Sequence, residues 1–171
     1  QKPIKDMVAE VQNGLMELFR APRGYEIVLG NGGSTAFWDV AAYSLAEGNS
    51  QALVHGEFGA KFAKSLSAPF LGSVDIKKGE VGSRSELVAA SGVNTYVYPQ
   101  NETSTGVIAP VEKVAAADQE AIFMTDATSA AGGIDFEASN TDVYYFAPQK
   151  NFASDGGLWL ALMSEKAIER A

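Results

Sequence analysis

Short apolar runs rich in β-branched and aromatic residues alternate with helical patterns along most of this chain, and this alternation restricts the possible folds more than any other feature. Strands are predicted at residues 25–29, 52–54, 74–76, 95–98, 121–124, 143–147 and 158–163, and helices at 3–20, 34–46, 57–67, 84–90 and 164–171. Strands that alternate with helices form a mostly parallel sheet with helices packed on both faces. We therefore predict an α/β fold with three layers, α/β/α.

The composition narrows the class of protein and of partner. The 171 residues are 46% hydrophobic, which suits one globular domain with a core. A net charge of -8 argues against nucleic acid as a partner, because nucleic-acid binding needs clustered Lys and Arg. The apolar runs are too short to cross a membrane. With no cysteine and one histidine, we expect neither a disulfide nor a metal site. These features fit a cytoplasmic enzyme.

One lysine follows the apolar run at residues 143–147 and precedes a small, polar segment at residues 153–157. This places the amine of Lys150 at the end of a strand, and ligands of open α/β sheets bind at that rim. A desolvated lysine can lose its proton there and attack a carbonyl group. The alternative is that Lys150 is a solvated surface charge, as most lysines are.

Asp126 follows the apolar run at residues 121–124, just as Lys150 follows the run at residues 143–147. An amine and a carboxylate at neighbouring strand ends match two needs of pyridoxal phosphate, whose aldehyde forms an imine and whose pyridine nitrogen pairs with a carboxylate. The alternative is that Asp126 only closes its strand through a turn with its own backbone, which is the commoner role for such aspartates.

Three further segments follow predicted strands. The glycine-rich segment at residues 30–35 precedes a predicted helix, where backbone N–H groups and two hydroxyl groups favour a phosphate; the alternative is a plain turn with Ser34 as N-cap. The polar loop at residues 101–106 is either a ligand contact or an ordinary turn. His55 is more readily a half-buried histidine than a catalytic one, and Phe58 is either core or a flat surface for a cofactor ring. In a doubly wound sheet such strand ends converge on one crevice.

Five segments together resemble the phosphoserine aminotransferase family of class V aminotransferases, most closely its actinobacterial type. They are Gly30-Asn31-Gly32-Gly33-Ser34-Thr35-Ala36-Phe37-Trp38, His55-Gly56-Glu57-Phe58, Asn101-Glu102-Thr103-Ser104-Thr105-Gly106, Thr125-Asp126-Ala127-Thr128 and Phe146-Ala147-Pro148-Gln149-Lys150-Asn151-Phe152. The resemblance covers essentially the whole chain. It implies a fold type I enzyme, with residues 1–171 as an aspartate aminotransferase-like large domain, cut at both ends and without its small C-terminal domain.

The resemblance also implies roles for two catalytic residues and a cofactor, pyridoxal 5'-phosphate. Lys150 would form the imine with the cofactor and shuttle a proton. Asp126 would pair with the pyridine nitrogen.

Further positions matching the family's motifs would bind the cofactor. Gly33, Ser34 and Gln149 would hold the phosphate. Thr103 would approach the side of the ring that carries the phenolic oxygen. Phe58 stands where many family members have a stacking tryptophan, and we expect stacking to survive this change.

By resemblance, the full-length enzyme would be a homodimer that transfers the amino group of L-glutamate to 3-phosphohydroxypyruvate in serine biosynthesis. The family's substrate-binding His-Arg pair and C-terminal arginine would lie outside this sequence. Because two anionic substrates need fixed cations, we expect these 171 residues to bind substrate poorly and to have little or no activity alone. Two alternatives stay open: another class V aminotransferase with a different keto acceptor, and a non-catalytic phosphate- or nucleotide-binding domain.

Overall fold

A computed structural model describes residues 2–171 and contains four α-helices and nine β-strands in that range. The helices are α1 (Lys2–Leu18), α2 (Gly33–Val40), α3 (Glu57–Ser65) and α4 (Glu165–Arg170). The strands are β1 (Glu26–Asn31), β2 (Asn49–Val54), β3 (Val74–Lys78), β4 (Val93–Pro99), β5 (Asn101–Glu102), β6 (Val107–Ile108), β7 (Ile122–Asp126), β8 (Val143–Phe146) and β9 (Leu158–Met163).

Seven strands form one sheet in the order β1-β9-β8-β7-β4-β2-β3. Every neighbouring pair is parallel except the two that involve β9, which runs antiparallel to both β1 and β8. The predicted, mostly parallel sheet is therefore confirmed. Because all strands except β9 run in one direction, their carboxyl ends lie at the same edge of the sheet.

Each face of this sheet has its own core. On one face, Phe37 of α2, Phe62 of α3 and Ala167 of α4 lie with Tyr145 in one cluster of buried residues. On the other face, Leu15 of α1 lies in a second cluster with Tyr144. Tyr144 and Tyr145 are adjacent in β8 and point to opposite faces because side chains alternate along a strand. The resulting three layers agree with the predicted fold class.

The helix predicted at residues 84–90 is wrong. This segment is irregular. Its backbone forms hydrogen bonds with the buried side chains of Gln51, in β2, and of His55, the residue after β2. The Gln51 side chain accepts from the Val88 N–H (2.7 Å) and donates to the Val88 carbonyl (2.9 Å), and the Ser85 N–H donates to His55 Nε2 (3.2 Å). These tertiary hydrogen bonds replace those of a helix. Between β4 and β8 the described chain also contains no α-helix, so strand–helix alternation is less complete than predicted.

The other helices agree with the predictions apart from their ends. The predicted helix at residues 34–46 is α2 followed by one π-helical turn, Ala41–Leu45, closed by a hydrogen bond from the Ala46 N–H to the Ala41 carbonyl (2.8 Å). The predicted cap of α4 is present, since Ser164 Oγ accepts from the Ala167 N–H (3.2 Å). Among residues 2–171, no helix has the length and apolar character needed to cross a membrane.

Candidate active site

A cavity of about 290 Å³ opens at the edge of the sheet where the parallel strands end. The seven residues singled out from the sequence all line this cavity: Gly33, Ser34, Phe58, Thr103, Asp126, Gln149 and Lys150. They come from five separate segments of the chain, each at or after the end of a strand, and the shared direction of the strands brings them together. Their convergence is a property of the structure, whereas their individual roles stay predictions.

The glycine-rich turn between β1 and α2 forms one wall of the cavity. Gly32 and Gly33 have φ angles of 108° and 73°, a region that favours glycine. Gly32 is the N-cap residue and no side chain caps α2, so Ser34 lies inside the helix, and the alternative interpretation of Ser34 as N-cap is wrong. The N–H groups in the first turn of a helix have no partner within the helix. With the Ser34 hydroxyl, they form a site suited to an anion.

Asp126 is the last residue of β7, and its buried carboxylate accepts three hydrogen bonds. Oδ1 accepts from the N–H of Thr128 (2.9 Å) and from its hydroxyl (2.6 Å), and Oδ2 accepts from the Tyr145 hydroxyl (2.7 Å). The bond to the Thr128 N–H is the local turn that the alternative interpretation expected. The same carboxylate also lines the cavity, so the turn is compatible with a role at a ligand, which stays a prediction.

Burial raises the pKa of the Asp126 carboxyl above its ordinary value, and the hydrogen bonds from Thr128 and Tyr145 and the nearby Trp38 N–H group oppose this rise because they stabilise the charged form. Burial and the neighbouring Asp126 also raise the pKa of Tyr145 well above its ordinary value. Tyr145 consequently remains a hydrogen-bond donor. A buried carboxylate that keeps such donors is suited to pair with a cationic group in the cavity.

Lys150 lies in the turn after β8, and its side chain is exposed at the cavity. The turn is held by Asn151, whose Nδ2 donates to the carbonyls of Ser129 (3.1 Å) and Ala131 (3.2 Å). The Ala153 N–H also donates to the Lys150 carbonyl (3.0 Å). Lys150 and Asp126 are the two charged residues among those that line the cavity, and their charges are opposite.

Glu102 aligns two walls of the cavity, a role that the sequence did not reveal. Its carboxylate is fully buried and accepts from the N–H groups of Phe58 (3.3 Å) and Gly59 (2.9 Å) and from the Ser104 hydroxyl (2.6 Å). It therefore caps the start of α3 from another segment. Gly56 permits this approach, since a Cβ there would lie 2.7 Å from Glu102 Cγ.

The polar loop after β4 contacts the segment after β7 at the same cavity. Thr103 Oγ1 and Asn101 Nδ2 both donate to Ser129 Oγ, at 2.9 and 2.8 Å. Ser129 also lines the cavity, although the sequence analysis assigned it no role. Phe58 lies opposite at the rim with 39% of its surface exposed, so its ring is accessible to a bound molecule.

His55 does not line the cavity. It is buried, and its Nε2 accepts from the Ser85 N–H. Burial lowers the pKa of its imidazole and so favours the neutral ring. The interpretation of His55 as a structural residue is the one that these contacts support. Among residues 2–171, no group of three or more His, Asp or Glu side chains is arranged to hold a metal ion.

The chain is similar to curated phosphoserine aminotransferases along its whole length. It is 52% identical to the protein of that name from Nocardioides sp. over 173 residues, which cover 100% of this chain and 46% of the relative. It is also 52% identical to the phosphoserine aminotransferase of Rhodococcus opacus over 171 residues, covering 99% of this chain and 46% of the relative. The chain thus spans about half the length of the curated relatives it matches.

Solved structures of two distant enzymes share the fold. A phosphoserine aminotransferase from Cytophaga hutchinsonii superposes with a TM-score of 0.90 at 21% identity, covering 99% of this chain and 48% of that chain. A PLP-bound phosphoserine aminotransferase from Trichomonas vaginalis superposes with a TM-score of 0.82 at 17% identity, covering 100% of this chain and 52% of that chain. These likenesses confirm the expected fold type.

The family model described as "Aminotransferase class-V" matches residues 1–170, nearly the whole chain. This match and the 52% identical relatives agree with the family predicted from the sequence motifs. The chain therefore belongs to the class-V aminotransferase family.

Proposed function

We propose that the full-length protein is a pyridoxal-phosphate-dependent phosphoserine aminotransferase, which transfers the amino group of L-glutamate to 3-phosphohydroxypyruvate. The relatives at 52% identity carry that name. The observation that carries the proposal is the meeting of an anion site, a buried carboxylate and a lysine amine in one cavity. A non-catalytic phosphate-binding domain would need the anion site alone.

The residues that line the cavity fit this cofactor. The cofactor has a phosphate, a ring nitrogen that takes a proton, and an aldehyde. Gly33 and Ser34 lie at the helix N-terminus suited to the phosphate, Asp126 supplies a buried carboxylate for the protonated nitrogen, and Lys150 supplies the amine. When bound, pyridoxal phosphate supplies an aldehyde that condenses with amines and a ring that withdraws electrons from the adjacent carbon.

The two charged residues of the cavity perform different tasks in this proposal. Lys150 would supply the amine that holds the cofactor through its aldehyde, and the same amine would move a proton at the reacting carbon as a general base and acid. The Asp126 carboxylate would hold the proton on the ring nitrogen, which would keep the ring an electron acceptor. The uncharged cavity residues then have to fix the position of the ring between them.

Five residues carry out this positioning. Gly33, Ser34 and Gln149 would hold the phosphate, and the exposed ring of Phe58 would stack on the cofactor ring. Thr103, whose hydroxyl donates to Ser129 Oγ, would contact the side of the ring that carries the phenolic oxygen. These contacts make the cavity a cofactor site before any substrate enters.

Both substrates are anionic, and Lys150 is the one cationic side chain among the described residues that line the cavity. Fixed cations for the substrate carboxylate and phosphate groups therefore have to come from outside these residues. In this proposal residues 1–171 belong to the large, cofactor-binding domain of a cytoplasmic homodimer, and the rest of each subunit supplies the missing cations.

The test of the reaction is acceptor preference. The full-length protein is loaded with cofactor and supplied with L-glutamate, and kcat/KM is compared for 3-phosphohydroxypyruvate and for glyoxylate. We expect a preference of at least about a hundredfold for the phosphorylated acceptor, since a site with cations for a phosphate rejects a substrate that lacks it. A preference for glyoxylate would instead indicate another class V aminotransferase.

A further inference from the structure

The hydrogen bonds of Asp126 leave one of its two oxygens open to the cavity. A carboxylate has about four lone-pair positions, two on each oxygen. Thr128 fills both positions on Oδ1 through its N–H and its hydroxyl. Tyr145 fills one position on Oδ2. The remaining position is therefore on Oδ2, next to the Tyr145 hydroxyl.

Trp38 fixes the direction of the bond between Tyr145 and Asp126. The indole Nε1–H can only donate, and it donates to the Tyr145 hydroxyl oxygen at 2.9 Å. The single proton of Tyr145 is then directed to Asp126 Oδ2 at 2.7 Å. The three residues form a chain of hydrogen bonds that runs from Trp38 through Tyr145 to Asp126.

The ring of Tyr145 has no freedom to leave this chain. It is fully buried and stacks on Phe37 with the ring centroids 4.3 Å apart. Phe62 contacts it edge-on, with the centroids 5.7 Å apart. Because packing of this kind fixes the ring, the hydroxyl is held at the carboxylate whether or not the cavity is filled.

We propose that Tyr145, directed by Trp38, is a positioning residue that favours the ionised form of Asp126 and presents Oδ2 to the cavity as the oxygen that meets a cationic ligand group. This inference rests on the proposed function in one respect, since it identifies that group as the protonated ring nitrogen of pyridoxal phosphate. Tyr145 touches neither the cofactor nor the substrate in this account, and acts through Asp126.

The charges around Asp126 are few, so the effect of Tyr145 can be isolated. The titratable groups that face it are Tyr145 from β8 and, across the cavity, Lys150. The turn after β7 and α2 present neutral groups, those of Thr128, Ser34 and Trp38. Removal of the Tyr145 hydroxyl removes a donor that favours the charged form, so Asp126 should keep its proton to a higher pH.

The first test uses the full-length apoprotein and involves no cofactor. The protein is labelled with carboxyl-¹³C aspartate, and the ionisation of Asp126 is followed by NMR in the wild type and in Tyr145→Phe. We expect the titration midpoint to move upward by one pH unit or more, about a tenfold change in proton affinity. The matched control is Tyr144→Phe, which removes the neighbouring buried hydroxyl, one that donates to Gln100 Oε1 (2.7 Å) on the other face. It should leave the midpoint unchanged.

The second test measures the affinity for pyridoxal phosphate in Tyr145→Phe, Asp126→Asn and the double variant. Tyr145→Phe should weaken binding about tenfold, as expected for a hydrogen bond to a charged group. In the Asp126→Asn background the same change should weaken binding less than about twofold, because Tyr145 acts only through the carboxylate.

The outcomes separate this inference from the proposed function. An unchanged NMR midpoint in Tyr145→Phe, or equal losses of affinity in both backgrounds, would overturn the role of Tyr145 while leaving the cofactor assignment intact. Failure of the wild type to bind pyridoxal phosphate would contradict the proposed function. The apoprotein titration would then decide alone whether Tyr145 positions Asp126.

Discussion

Two opposing effects act on the ionisation of the Asp126 carboxyl group. Burial favours its neutral form, whereas three donated hydrogen bonds favour the charged form. A negative charge in such a place is costly until a cation joins it. A cationic ligand group in the cavity would relieve this cost, and among residues 2–171 Lys150 is the one cationic side chain that lines it.

This conflict predicts how stability depends on pH. The pKa of Asp126 in the folded protein is raised above its ordinary value. At a pH between the unfolded and the folded pKa, the folded apoprotein therefore keeps a proton on Asp126 that the unfolded chain has released. Asp126 should therefore make the free energy of unfolding fall as pH rises from about 4 through the folded pKa. In Asp126→Asn this fall should be absent, as measured by urea unfolding of the full-length apoprotein across that range.

The control for this experiment is Asp155→Asn, which removes an exposed carboxylate. It should keep the pH dependence of the wild type. If Asp126→Asn also kept it, Asp126 would not be the buried, costly charge described here.

The sequence indicated Asp126 but not Tyr145 and Trp38, the two distant residues whose hydrogen bonds lead to its carboxylate. Asp126 could be singled out because it ends a β-rich run. Tyr145 and Trp38 could not, because each lies in a run that reads as core. Their contacts join residues 19 and 107 positions apart, a separation at which local patterns carry no information.

At the scale of secondary-structure elements, the start of α3 shows how the cavity keeps its shape. Glu102 accepts hydrogen bonds from the N–H groups of Phe58 and Gly59 and thereby ties α3 to the loop that carries Thr103. Phe58 and Thr103 line the cavity from these two elements. The distance between two predicted cofactor contacts thus depends on a carboxylate that does not line the cavity itself.

Replacement of Glu102 by alanine should lower the free energy of unfolding by about 2 kcal/mol, since it leaves buried donors without a partner. Glu57→Ala is the matched control, because Glu57 is exposed in the same helix and pairs with Lys61 (2.6 Å). It should cost less than about 1 kcal/mol. Urea unfolding of the full-length protein measures both values, and equal losses would show that Glu102 does not cap α3.

Elements were predictable where local pattern and tertiary contacts agree. The strand at residues 158–163 has the predicted bounds, because a continuous apolar run follows Gly156 and Gly157 and ends at the cap Ser164. The segment at residues 84–90 has a helical pattern but is irregular, since the buried Gln51 and His55 bind its backbone instead. No local signal reveals that competition.

For the whole molecule, the direction of the strands explains why distant motifs meet. Five segments that follow strands converge on one cavity because the strands that deliver them are parallel. This convergence follows from the predicted sheet alone. The strand order and the position of the antiparallel β9 do not follow from it, because alternating strands and helices are compatible with several orders. Solved aminotransferases share this part of the architecture.

Covalent labelling tests most directly whether this cavity binds pyridoxal phosphate through Lys150. The full-length protein is incubated with pyridoxal phosphate, reduced with borohydride and mapped by mass spectrometry. Lys61 serves as an internal control, since it is an exposed lysine beside Phe58. Lys150→Arg is the control variant, because it keeps the positive charge without a primary amine.

We predict one modified residue, Lys150, in the wild type, with no label on Lys61 and none in Lys150→Arg. A wild-type protein in which Lys150 stays unlabelled, or in which Lys61 and other exposed lysines are labelled equally, would contradict the account.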